Sequence, residues 1–204
     1  TMMAGAIGVA LLLDSLSSRK AIKVYQTSMF LPHFLSWVIV AFIARGLFNY
    51  ESGLFNQLLV SLGFDRFSWY TETKPWPFIL TFAQLWKSIG YQALIYYGAI
   101  IGIDSSIYEA AEIDGATKWQ VTRYIKIPLI RSTMTIMFIM AIGGILSSDF
   151  GMFYYLPNNE GPLYPVTDVF STYIFRTLNV LGDVQSSSAA SVFTSVVGFF
   201  LVII

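Results

Sequence analysis

The chain has 204 residues, of which 55% are hydrophobic and 12% charged, and its formal net charge is zero. Soluble domains carry about 25% charged residues, so this composition favours an all-α bundle of membrane helices whose outer surface faces lipid. A neutral chain gives no reason to expect a nucleic-acid partner. Because it has no cysteine and one histidine, His33, it offers neither a thiolate nor a His-cluster metal site.

Five apolar stretches approach the roughly 20 residues that a membrane-crossing helix needs. They are residues 1–16, 24–48, 76–103, 130–146 and 189–204. The first starts and the last stops inside an apolar run, so we expect an interior piece of a longer protein, truncated at both ends. No repeat or soluble domain is visible, and we predict a single transmembrane domain over residues 1–204.

Two segments between these stretches predict shorter elements. Residues 53–62 space their apolar side chains as in a short amphipathic helix that lies along the membrane surface. Residues 147–188 contain three prolines and three glycines, so we expect irregular chain there at first. A short helix is predicted to follow over residues 166–181.

The basic residues are unevenly distributed among the predicted loops. Residues 17–23 and 104–131 hold seven of the twelve Lys and Arg, whereas the loops at 49–75 and 147–188 hold three. Lys and Arg near the ends of membrane helices mark the cytoplasmic side. The distribution therefore predicts that residues 104–129 form a cytoplasmic loop.

This loop carries the signals of a helix-turn-helix. Ser106 with Glu109, and Thr117 with Gln120, have the spacing of capping boxes that begin two short helices. Gly115 between them suits the left-handed residue that ends the first helix. Because helices this short are not stable alone, we expect them to pack on something else.

The loop also resembles a known signature. Glu109-Ala-Ala, followed after two residues by Asp114-Gly-Ala and later by Ile-Lys-Ile-Pro128, resembles the loop of permeases of binding-protein-dependent ABC importers. Ile127 and Ser132 depart mildly from the commonest pattern, and Pro128 is expected in the first turn of the next span. The resemblance implies a coupling helix seated on an ATPase subunit, with docking residues Glu109, Ala110, Ala111, Asp114, Gly115, Ala116 and Pro128. Taken alone, Glu109 is equally well explained as a helix cap.

Further segments, at 45–60, 147–177 and 188–200, are similar to carbohydrate-uptake permeases of the LplB-like subgroup. This resemblance implies a type I (MetI-like) importer core, multi-pass in a prokaryotic inner membrane, that translocates a sugar or oligosaccharide. It also implies a second, homologous permease as a heterodimer partner, two ATPase subunits that bind ATP and Mg, and an extracytoplasmic solute-binding protein. The chain has no GxxxxGK[ST] loop, so ATP hydrolysis is expected in separate subunits and this subunit is not expected to be an enzyme.

Two polar clusters are candidates for the substrate path. A charge at mid-span costs about 2.5–3.5 kcal/mol on insertion scales, and Lys87 joins a polar stripe within one arc of its predicted helix. The stripe comprises Gln84, Lys87, Ser88, Tyr91 and Gln92. Its two interpretations are a sugar-translocation face and hydrogen-bonded packing on a neighbouring helix. The second cluster, which equally suits an interfacial belt or contact with a binding protein, is Asp149, Tyr154, Tyr155 and Asn158.

The sequence disfavours two other classes of membrane protein. An ion-coupled secondary transporter requires carboxylates buried within its spans, whereas Asp14 lies near a span end and the other acids lie in or beside loops. A membrane-bound transferase or protease requires clustered His, Cys or paired carboxylates, and no such cluster is visible. His33 is interpreted as a hydrogen-bonded packing residue.

Overall fold

The computed structural model describes residues 2–146 and 148–203, and within these ranges it contains helices and no strand. The all-α fold predicted from the sequence is confirmed. The longer helices are α1 (Met2–Ser15), α2 (Arg19–Phe34), α3 (Trp37–Phe48), α4 (Leu54–Ser61), α5 (Trp76–Ile101), α6 (Ser105–Ile113), α9 (Arg131–Gly143), α12 (Phe170–Asn179) and α13 (Val184–Ile203). The short ones are α7 (Lys118–Val121), α8 (Ile127–Leu129), α10 (Phe150–Tyr155) and α11 (Tyr164–Thr167), with a π turn at Thr122–Lys126 and a 3₁₀ turn at Gly161–Leu163.

The second apolar stretch is not the single helix that we predicted over residues 24–48. It is broken at Leu35–Ser36, where the Ser36 hydroxyl caps α3 by accepting from the backbone N–H of Ile39 at 3.3 Å. Hydrophobicity does not distinguish a broken helix from a continuous one, and one N-capping serine is a weak signal. Within residues 148–188 the chain is also more helical than we predicted at its start, because Asp149 caps the extra helix α10.

Length and composition single out α13 as long and apolar enough to cross a membrane, over Val184–Leu201. The number of such spans in the described part of the chain rises to three if two bent helix pairs, Arg19–Phe34 with Trp37–Phe48 and Lys118–Leu129 with Arg131–Gly143, each count as one. The sequence predicted five. Helix α1 has 14 described residues, and α5, although 26 residues long, is made less apolar by its polar stripe.

The chain divides into two compact units. The first unit comprises Thr1–Phe34 and Leu85–Ala141. Its core joins α1 to α5 through fully buried side chains, with Ile130 added from the segment after α8; these are Ala6, Ala10, Tyr96, Ile100 and Ile130. The small alanines let the two helices approach closely.

Helix α2 meets α5 at Gly90 in the same unit. A methyl group added to Gly90 would overlap the backbone carbonyl of Met29 and lie 3.0 Å from the Met29 Cβ. Only glycine permits the two backbones to approach this closely. The contact therefore fixes the position of α2 on α5.

The second unit comprises Leu35–Gln84 and Ile142–Ile204. Its core is built around Trp76, which is fully buried and whose indole N–H donates to the Trp69 carbonyl at 2.7 Å. Side chains of α3, α5 and α10, and of the residue that follows α10, pack around it; they include Trp37, Val40, Ala44, Leu80, Ala83, Met152 and Leu156. A helix, α4, is present where we predicted one over residues 53–62. Its Asn56 is also buried, and the Asn56 side-chain amide forms hydrogen bonds with the backbone of Phe67.

Candidate functional site

The loop at residues 104–129 begins with α6, which is capped differently from our prediction. Asp104, not Ser106, is the N-cap, and its Oδ1 accepts from the backbone N–H of Ser106 at 2.9 Å. Hydrogen bonds from the backbone and the side chain of Ser106 lower the pKa of the Asp104 carboxyl. The proposed box between Ser106 and Glu109 is wrong because the helix already starts at Ser105.

The end of α6 is a Schellman turn, as Gly115 predicted. Gly115 has a φ of +73°, which non-glycine residues adopt only at a cost. Its N–H donates to the Glu112 carbonyl at 3.0 Å, and the Ala116 N–H donates to the Ala111 carbonyl at 2.9 Å. These two bonds satisfy the last carbonyls of the helix and fix the direction in which the chain leaves it.

The second helix of the loop starts with the capping box that we predicted. The Thr117 N–H donates to Gln120 Oε1 at 2.7 Å, and Thr117 Oγ1 accepts from the Gln120 N–H at 3.3 Å. The helical path then continues through the π turn to Leu129. Pro128 thus lies near the end of this run rather than in the first turn of α9, and the preceding π turn accommodates a residue that lacks an N–H.

The loop presents large apolar side chains that the sequence analysis did not select. Ile113 is 86% exposed, Trp119 71% and Tyr124 72%. Among the predicted docking residues, Ala110 is also exposed, whereas Ala111 is only 7% exposed and packs inside the first unit. Exposed apolar side chains on short, capped helices are typical of a surface that a partner covers. A signal for them was available, because each of these three side chains directly follows a charged residue in the sequence.

Lys87 of the polar stripe contacts the end of α2. Its Nζ donates to the backbone carbonyl of His33 at 2.9 Å, one of the last carbonyls of α2 and therefore without a partner inside the helix. A cation is favourable at this position because the C-terminus of a helix carries partial negative charge. The Tyr91 ring stacks on the His33 ring, with 4.5 Å between centroids and 7° between planes. The hydrogen bond to the α2 carbonyl explains how the charge of Lys87 is tolerated in this helix without a role in the substrate path.

The other members of the stripe differ in their surroundings. Ser88 and Gln92 are half-buried in the first unit. Gln84 belongs to the second unit, and its amide oxygen is buried without a hydrogen-bond partner in the described part of the chain. An unmet buried acceptor costs about 1–3 kcal/mol, so Gln84 stays a candidate for a hydroxyl contact.

Replacing Lys87 with methionine is expected to destabilise the protein by about 1.5–3 kcal/mol, the range for hydrogen bonds to charged groups. The measurement is the unfolding midpoint of the purified complex. Lys87→Arg should retain most of the stability because it keeps the charge. Lys74→Met, which removes an exposed lysine, is the control and should leave the unfolding midpoint unchanged. Unchanged sugar uptake and unchanged ATPase stimulation in Lys87→Met would contradict the prediction that Lys87 lines the path.

Asp149 of the second cluster is held inside the second unit. Its Oδ2 accepts from the indole N–H of Trp37 at 2.5 Å, and its Oδ1 accepts from the Gly151 N–H at 3.0 Å. A Cβ added to Gly151 would lie 2.6 Å from Trp37 Cδ1. Both carboxylate oxygens are thus engaged in fixing α10 on α3.

Two of the other residues of this cluster line a small groove. Tyr154 packs with Phe150 and Phe175, whereas Tyr155 and Asn158 line a groove together with Arg45, which sequence reasoning missed. Arg45 donates to the Asn158 amide oxygen, and no carboxylate in the described ranges forms an ion pair with Arg45. An aromatic ring, an amide and a guanidinium are side chains that can bind sugar hydroxyls or carboxylates.

Comparison with known proteins bears on this geometry. A family model described as binding-protein-dependent transport system inner membrane component matches residues 6–204. The chain belongs to this family. The resemblance drawn from the loop is therefore confirmed, and the membrane location of the family agrees with the apolar composition.

Similar proteins include members of the subgroup named from the sequence. Protein LplB of Bacillus subtilis is 32% identical over 196 residues, covering 95% of this chain. The polygalacturonan/rhamnogalacturonan transport system permease protein YteP of the same organism is 31% identical and covers 96% of this chain. This permease-family chain spans 60% of the length of each of these relatives.

A solved structure shares the fold. One chain in the crystal structure of a bacterial alginate ABC transporter, in complex with an alginate pentasaccharide-bound periplasmic protein, superposes with a TM-score of 0.89 and 31% sequence identity. The match covers 98% of the present chain and 69% of that chain. The predicted fold class, an ABC importer permease core, is thereby confirmed.

Proposed function

We propose that this chain is the transmembrane core of a permease subunit in an ATP-driven importer of a sugar or oligosaccharide. Family membership supports a role in binding-protein-dependent transport. The relatives support the substrate class, since YteP carries polygalacturonan and rhamnogalacturonan in its name and the structural match is an alginate transporter. The chain would act in the inner membrane of a prokaryotic cell.

The observation that carries the proposal is the exposed apolar surface of the capped loop. Ile113, Trp119 and Tyr124 are each more than 70% exposed. The Schellman turn and the capping box hold α6 and α7, which carry Ile113 and Trp119, and Tyr124 follows in the π turn. We infer that this surface seats in an ATPase subunit on the cytoplasmic side, with Glu109 and Ala110 on the same short helix. The uneven charge of the loops supports that orientation.

The proposed assembly contains two ATPase subunits, which bind ATP and Mg, a second homologous permease and an extracytoplasmic solute-binding protein. ATP binding closes the ATPases, the docking loops move with them, and the helical bundle opens outward for substrate. The permease contributes no catalytic residue to ATP hydrolysis. Within the path, Tyr155, Asn158 and Gln84 are the sequence-predicted residues with groups best suited to sugar.

The test is uptake of labelled oligosaccharides by the full complex in proteoliposomes. We expect uptake to require the solute-binding protein on one side of the membrane and ATP on the side where the ATPase subunits lie. We also expect the rate of ATP hydrolysis to rise when substrate-loaded binding protein is added. Uptake that persists without ATP and follows an imposed proton or sodium gradient would overturn the proposal in favour of a secondary transporter.

A further inference from the structure

Three side chains from separate helical elements of the first unit meet where the loop packs on α1. Asp14, one residue before the end of α1, forms an ion pair with Lys126, the last residue of the π turn. The Lys126 Nζ also lies 5.7 Å from the ring centroid of Tyr108, which is on α6. We call Asp14, Tyr108 and Lys126 the loop anchor.

The loop anchor is largely removed from solvent, unlike the surface around it. The side chains of Lys126 and Asp14 are 17% and 20% exposed. Ion pairs screened from water are stronger than surface pairs, and removing one partner leaves an uncompensated charge. The cation over the Tyr108 ring adds a second attraction. Tyr108 is in turn tied to the end of α5, because its hydroxyl donates to the Ile100 carbonyl at 3.4 Å.

The anchor therefore connects both helices of the loop to two long helices. Tyr108 links α6 to α5, and Lys126 links the π turn to α1. A π turn such as Thr122–Lys126 is a local departure from α-helical geometry that recurs at functional sites. By contrast, Ile113 and Trp119, two of the exposed side chains that we assign to ATPase docking, lie on either side of the Gly115 turn, whereas Tyr124 shares the π turn with Lys126.

We propose that the Asp14–Lys126 ion pair transmits movement of the docked loop to α1, and that both residues position the loop without contacting ATP or sugar. This inference rests on the proposed function. Without the pair, the loop would still dock through its exposed apolar surface, but movement of the ATPases would reach α1 less completely. The defect would appear as ATP hydrolysis that no longer drives transport.

The test compares sugar uptake per ATP hydrolysed in Asp14→Asn, Lys126→Met and the double variant, each in the full complex. Because contacting residues are energetically coupled, we expect roughly a fivefold fall in this ratio for each single variant. The double variant should be no worse than either single one, since both remove the same interaction. The ATPase subunits should co-purify with every variant.

Two further variants separate this role from general destabilisation. Lys126→Arg keeps the charge and should retain most of the wild-type ratio, whereas Lys23→Met removes an exposed lysine of α2 and should leave it unchanged. Wild-type ratios in both single variants, or equal losses in Lys126→Arg and Lys126→Met, would overturn the proposal. If the wild-type complex itself shows no ATP-dependent uptake, the proposed function fails and the ion pair has no transport role to play.

Discussion

Replacing Gly90 with alanine is expected to destabilise the protein by about 3 kcal/mol, at the upper end of the usual cost of overpacking. The added methyl group would overlap the Met29 carbonyl, which belongs to the backbone and cannot move aside as a side-chain tip can. Helix α2 would have to shift away from α5 and weaken the contacts of Lys87 and Tyr91 with His33. The measurement is the unfolding midpoint of the purified complex.

Gly98 of the same helix provides a matched control. It is exposed, and a Cβ built there meets nothing within 4 Å. Alanine is favoured over glycine in a helix by about 1 kcal/mol, so Gly98→Ala should leave the midpoint unchanged or raise it. Equal midpoints for Gly90→Ala and Gly98→Ala would contradict the close contact between α2 and α5.

Replacing Gly115 with valine is expected to abolish most transport while leaving the helical core folded. The left-handed conformation at φ +73° costs a non-glycine residue about 1–2 kcal/mol, and β-branched residues are the least tolerant. A loss of about one or two kcal/mol in folding free energy lowers the ratio of folded to unfolded turn roughly 5- to 30-fold. The Schellman turn would open, the exposed side chains on either side of it would separate, and ATPase retention would fall by a similar factor.

Two variants separate the effect of backbone strain from the effect of losing the Gly115 turn. Gly63 has a φ of +83° in the loop after α4, with open space around it, so Gly63→Val imposes the same strain away from the proposed docking surface. Gly115→Asn should restore much of the activity, since asparagine tolerates this conformation. Loss of ATPase from Gly63→Val as complete as from Gly115→Val would contradict a specific role for the turn.

The sequence predicted the elements whose causes are local. Gly115 and Thr117 act through their own backbone and that of residues three or four positions away, and the structure contains the turn and the capping box that they indicate. Helix α4 and the start of α5 at Trp76 also follow from periodicity and apolar length. Such signals need no knowledge of the tertiary fold.

The contacts that were missed join residues distant in the chain. Lys87 meets a carbonyl 54 positions away, and Lys126 meets Asp14 from 112 positions away. No periodicity encodes these distances, so an interpretation of Lys87 as path-lining or packing could not be settled from its helix alone. The break at Leu35–Ser36 was missed because both halves are apolar. The exposure of Trp119 was missed because it depends on tertiary packing, which the loop motif does not encode.

The most direct test of the docking surface is site-specific cross-linking, which the chain favours because it has no cysteine of its own. A single cysteine at Ile113, which is 86% exposed, would carry a short photoactivatable cross-linker in the full complex. A matched cysteine at Leu62, 71% exposed after α4, serves as the control. The account predicts a covalent adduct between Ile113→Cys and an ATPase subunit, and none from Leu62→Cys. An ATPase adduct from Leu62→Cys, or its absence from Ile113→Cys in a complex that hydrolyses ATP, would contradict it.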